Sequence, residues 1–161
     1  MGITIDVLGL DGVLEALDKL TPGELMDAAA VGLKKGVGSI RADAQANAPV
    51  DTGELREKIK TRVTVQSGAL VGEVVAYAPH SIYVEMGTGP KGESSHAGVN
   101  PEWMEGLTYR PNGWTYPTKD GGFRFTRGMP ARPFLYPAYK AGEGKCRDLI
   151  AAAIIRHVQG G

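Results

Sequence analysis

At Pro49 the hydrophobic period of this chain changes. Before it, Leu25, Ala29, Leu33, Val37, Ile40, Ala44 and Ala48 recur at three- and four-residue steps, one apolar stripe along a helix of about seven turns. After it, Ile59, Thr61, Val63 and Val65 alternate with Lys60, Arg62, Thr64 and Gln66, the two-residue period of a half-buried strand. Ser67-Gly68 can turn the chain back, and Val71, Glu73, Val75 and Tyr77 then oppose Val74 and Ala76 along a partner strand. A one-sided helix and a one-sided hairpin each need an apolar surface to cover. The expected fold is therefore α+β: a small antiparallel sheet, made of the hairpin 59–77 and a strand 82–86, packed against two long helices, 23–48 and 138–158.

Local signals support these boundaries. Thr21-Pro22 reads as an N-cap and first-turn proline, and Glu24 completes a capping box. Ala48-Pro49 stops the helix, because the residue before proline is driven out of the helical region. Gly32, Gly36 and Gly38 each weaken that helix by up to about 1 kcal/mol, which close approach of another backbone would explain. The last helix carries Tyr139, Cys146, Leu149, Ile150, Ala153, Ile154 and Val158 on its inner face. Ahead of all this, Ile3, Ile5 and Val7 suggest a short strand, and Val13, Leu14 and Leu17 a brief helix ending near Leu20.

Residues 88–128 have a different character. Glycine makes up 23 of 161 residues, about twice the usual share of roughly 7%, and much of the excess lies here. Both tryptophans lie here too, and Trp114–Thr118 with Phe123–Thr126 read as a hairpin closed by 119–122. The chain is thus expected to be one domain, 1–161, with an insertion loop at 88–128 that is mobile or differently placed alone and ordered against a neighbour. Trp103, Trp114, Tyr116, Phe123 and Phe125 are the residue types that anchor such interfaces.

The chemistry of the remaining residues is spare. Eighteen Lys and Arg balance eighteen Asp and Glu, so there is no net basic field to gather nucleic acid or anionic lipid. The single Cys146 excludes an internal disulfide, and His80, His96 and His157 match no zinc spacing. No nucleophile elbow, Walker loop or dinucleotide fingerprint occurs. Gly87-Thr88-Gly89-Pro90-Lys91-Gly92 is similar in composition to a phosphate loop, but lacks its spacing and is expected to lead into no helix. No apolar run approaches the roughly 20 residues of a membrane span, and the opening MGITIDVLGL lacks a basic segment before its apolar part, so no secretory signal is expected there. No enzyme activity, cofactor, metal or membrane contact is expected. Glu85, in an otherwise apolar strand, could be a buried carboxyl group, but such a residue is more often an edge or interface charge. Arg56, Lys58, Lys60 and Arg62 form a local basic face, which leaves a nucleic-acid-binding module as an alternative.

Three segments then stand out in order. The first is Ala48-Pro49-Val50-Asp51-Thr52-Gly53-Glu54-Leu55-Arg56, where Asp51 or Thr52 can cap a turn and Gly53 tolerates a positive φ. The second is Tyr83-Val84-Glu85-Met86-Gly87-Thr88-Gly89, and the third Ala131-Arg132-Pro133-Phe134-Leu135-Tyr136-Pro137-Ala138. In the third, Pro133 and Pro137 bracket an apolar group, so Phe134 should be buried where the last helix begins. The Arg132 fork suits a carboxyl group such as Glu85 or one on a neighbouring subunit.

Together these segments resemble the tail-component proteins of long-tailed, non-contractile bacteriophages, called tail-completion or head–tail joining proteins. The resemblance spans about residues 1–158 apart from the insertion, with Lys58-Ile59 where a serine-isoleucine pair is frequent. It implies a virion structural protein that forms a homo-oligomeric ring at the neck or upper tail. It implies contacts with connector or head-closure, tail-terminator or tail-tube proteins, and at most passive contact with DNA in the channel. It also implies assembly in the host cytoplasm.

Overall fold

The computed structural model describes residues 20–160, so the expected strand over 3–7 and the brief helix before Leu20 lie outside the described residues. The chain divides into two compact units. Among the described residues the first holds 20–43, 60–75 and 139–160, and the second holds 44–59 and 76–138.

The first unit is built from the two long helices and the first hairpin. Helix α1, Pro22–Asn47, opens with the expected box: the Thr21 amide donates to Glu24 Oε2 at 2.9 Å and the Glu24 amide to Thr21 Oγ1 at 3.3 Å. Helix α2 (Glu54–Glu57) precedes strand β1 (Ile59–Gln66), which a two-residue turn joins to β2 (Ala69–Ala76). Ser67 and Gly68 both take positive φ, 51° and 80°, the mirror-image turn whose twist suits a hairpin, and so short a link makes the pair antiparallel. The last long helix spans Leu135–Val158.

Buried Leu33, Val37 and Ile40 of α1 and buried Cys146, Ile150 and Ile154 of that last helix form the apolar centre. A Cβ on Gly32 would run into the backbone of Ile150, and one on Gly36 into Cys146. Gly32 and Gly36 therefore sit where the helices touch, as expected. Gly38 differs, because open space surrounds it. Gly72 of β2 lies flat on Leu33 and Val37, so the hairpin rests on α1.

The second unit is a set of short pieces. Helix α3 is Ser81–Met86, α4 is Gly89–Glu93, and a 3₁₀ turn follows at Pro101–Met104. Strands β3 (Trp114–Pro117) and β4 (Phe123–Thr126) pair antiparallel, with Trp114 opposite Thr126 and Pro117 opposite Phe123. The last long helix, α5 in chain order, begins here at Leu135, three residues before the expected start, with Pro137 in its first turn.

Two expectations are corrected here. Residues 82–86 are not a third strand, and the described sheets have two strands each. A six-residue run bounded by Pro79 and Gly87 is ambiguous in period, and the turn at Ala78–His80 decides it: the Ser81 amide donates to Ala78 O at 2.9 Å and the Val84 amide to His80 O at 3.1 Å. The glycine stretch 87–92 does lead into a helix, the five-residue α4, which is too short to present a phosphate site.

Candidate interaction site

The start of α5 sets the geometry. A helix leaves its first N–H groups without partners in its own ladder. The Phe134 and Leu135 amides donate to Glu85 Oε2 at 2.8 and 3.0 Å, and the Tyr136 amide to Glu85 Oε1 at 3.0 Å. The next residue is Pro137, which has no N–H to satisfy. One side chain and one proline therefore account for the whole N-terminal turn. Glu85 is only 4% exposed, so it is an internal clamp and not the edge or interface charge expected from its strand-like context. It is also not the partner of Arg132, since its oxygens are turned to the α5 backbone.

The clamp draws the second and third segments together. The Arg132 amide donates to Val84 O at 2.8 Å, the Ala131 amide to Ser95 Oγ at 2.9 Å, and Thr88 and Met129 exchange both backbone bonds at 2.9 and 3.1 Å. Gly87 ends α3 at φ 74°, and a Cβ there would meet the Ala131 amide nitrogen, so this crossing requires glycine. Phe134 is 1% exposed, buried as expected.

The first segment completes the site. Pro49, Asp51, Thr52 and Gly53 line a cleft of about 450 Å³ whose other walls include His80, Val84, Met129 and Arg132. Gly53 takes the anticipated positive φ, 89°, and no side-chain cap precedes α2, although Thr52 Oγ1 accepts from the Glu54 amide at a long 3.4 Å. The loop is braced by Gln45 Nε2 donating to Arg56 O at 3.0 Å and by the Lys58–Glu54 ion pair at 2.6 Å. Hydrogen bonding and charge from Lys58 hold the Glu54 carboxyl below its usual range. Residues 80 positions apart in sequence thus share one cleft, and Arg132 stands exposed on it without an ion-pair partner among the described residues.

The aromatic residues of 88–128 divide into two sets. Trp103 is half-buried and meets Tyr136 edge-on at 6.0 Å, and Trp114 is half-buried beneath the Arg110 guanidinium at 5.8 Å. Tyr116, Phe123 and Phe125 are exposed. Tyr109, which sequence reasoning passed over, anchors the segment by donating to Met86 O at 2.8 Å and stacking on His96 at 5.6 Å. Burial, with the nearby Glu93 charge, raises its hydroxyl above the ordinary tyrosine value. The segment is therefore tied to its own unit at several points.

The basic strand face is partly neutralised. Lys58 pairs with Glu54, and Arg62 Nε with Glu73 at 2.7 Å. Among the described residues no His, Cys, Asp and Glu cluster could hold a metal ion, and no helix is long and apolar enough to cross a membrane. Burial raises the thiol of Cys146, which keeps it in its unreactive form.

Residues 11–87 match the HK97-gp10-like family, described as "Bacteriophage HK97-gp10, putative tail-component". Over that segment, just under half of the chain, it is similar to a family of bacteriophage tail components. The match takes in the first segment and most of the second, and it stops at Gly87. No curated protein and no solved structure matches the chain.

Proposed function

We propose that this tail component acts in tail completion or head–tail joining, as a homo-oligomeric ring at the neck or upper tail, and has no catalytic activity. The observation that carries this reading is the cleft in which three distant segments meet under an exposed, unpaired Arg132. A guanidinium fork is suited to a carboxyl group. Glu85 is committed to the start of α5, and Arg132 has no ion pair with Asp51 or Glu54 of the same cleft, so a carboxyl group of a neighbouring virion protein is the partner its fork would receive. The ion pairs of Lys58 and Arg62 weigh against the nucleic-acid-binding alternative.

The test pairs two neighbouring substitutions. Phe134→Ala should cost about 3–5 kcal/mol, because a fully buried ring is removed. Arg132→Ala should melt like the parent yet leave free heads and free tails under the electron microscope. Normal melting together with normal joining would remove this corner from assembly.

A further inference from the structure

The cleft under Arg132 does not stand alone. His80, Val84 and Met129 bound it, and the same residues bound a groove of about 640 Å³ in the second unit. Of these only His80 is exposed, so the two cavities adjoin across one surface side chain. Tyr83, Met86, Leu107 and Trp114 give the groove a largely apolar lining, and Ile82, Tyr83 and Leu107 stand exposed along it. An open apolar surface of this kind marks a place for a partner.

Charge narrows the choice of partner. No described carboxyl group lines the groove, and its one guanidinium, Arg110, lies 5.8 Å from the Trp114 ring. Arg110 is exposed and, like Arg132, has no ion pair among the described residues. From Leu107 to Arg132 the cations Arg110, Lys119, Arg124, Arg127 and Arg132 meet a single acid, Asp120. The cleft does carry two carboxyl groups, Asp51 and Glu54, but Glu54 is already paired with Lys58.

We propose that cleft and groove form one docking track for a segment of another virion protein, acidic at its ends and apolar at its centre. One carboxyl group lies under Arg132, apolar side chains pass His80 into the groove, and a second carboxyl group meets Arg110. This rests on the assembly reading above and specifies the chemistry of the partner. A protein segment suits the track better than a nucleic acid. A nucleic acid needs cations spaced along its phosphates, whereas the groove lining offers one beside apolar walls. The apolar centre supplies the hold, and the two guanidinium groups fix the register in which the segment lies.

Leu107→Asp and Arg110→Glu each put a negative charge where the segment should lie, at exposed positions where the parent melting temperature should be kept. Both should raise the count of free heads and free tails by roughly tenfold, as for a contact worth one decade in affinity. Arg110→Lys, which keeps the charge, should join far more often than Arg110→Glu. A photo-reactive phenylalanine in place of Leu107 identifies the occupant in assembling particles. The expected adduct is a peptide of another virion protein with Asp or Glu beside apolar residues. An adduct with DNA, with a second copy of this chain or with a basic peptide overturns the proposal. Normal joining by Leu107→Asp and Arg110→Glu while Arg132→Ala fails overturns the groove and leaves the cleft reading standing. Normal joining by all three removes both.

Discussion

The two units are held together by different means. In the first, long elements lie directly on one another: Gly32 and Gly36 of α1 against Ile150 and Cys146, Ile40 against Gly142, and Leu33 and Val37 under Gly72 of β2. In the second, no described element is longer than a few residues, and single polar groups replace the long contact. Glu85 accepts three backbone bonds, Tyr109 reaches Met86 O, and Ser95 accepts from Ala131. The first unit spreads its stability over many small contacts, while the second concentrates it in a few directed ones. A surface assembled from distant loops needs such fixed points, because loops have no ladder of their own to set their positions.

One helix offers the largest way to break or sharpen this contrast. Gly32→Ala should destabilise the protein by about 1–3 kcal/mol, since the new methyl meets the Ile150 backbone, which cannot turn aside. Gly38→Ala, six residues on in open space, should instead stabilise by about 0.5–1 kcal/mol through helix propensity. Urea melts of the two variants check the opposite signs. If both stabilise, the helices do not cross at Gly32.

A smaller effect is expected in the second unit. Tyr109→Phe keeps the ring and its stacking on His96 but loses the bond to Met86 O, for about 1 kcal/mol. The loss should appear as faster amide exchange in 88–110 with little change in α1.

The smallest effect is acid sensitivity. Thr21 holds Glu24 below its usual carboxyl value of 4.5, Arg62 does so for Glu73, and Lys140 and Arg147 for Glu143. A lowered folded-state value means stability that is present above about pH 4.5 and lost as pH falls through the folded values. These groups are exposed, so the melting temperature should decline only slightly below pH 4.5, and added salt should flatten the decline. A melting temperature that rises on acidification would contradict the assignment.

The same contrast explains what the sequence revealed. The stripe Leu25–Ala48, the alternation after Ile59 and the hairpin pattern of Trp114–Thr118 and Phe123–Thr126 are local, so α1, β1–β2 and β3–β4 were legible in the sequence. Ser81–Met86 was not, because six residues are too few to separate the two periods. The role of Glu85 could not be read either, since its partners lie 49, 50 and 51 residues away and are backbone groups without residue identity. The third segment did carry a signal in retrospect. Pro137 at the third position of α5 leaves one fewer N–H to satisfy, which marks a helix start that a single acceptor can complete.

Amide hydrogen exchange on Glu85→Gln tests the central claim most directly. Glutamine keeps the size of the side chain but turns one acceptor into an N–H donor that faces the α5 amides. The amides of 131–136 should lose protection by one to two orders of magnitude, as expected for about 1–3 kcal/mol of local stability. Those of Leu33–Ile40 in α1 should exchange as in the parent. Equal loss in both places, or no loss at 134–136, would contradict an account in which this one side chain fixes the corner that presents Arg132.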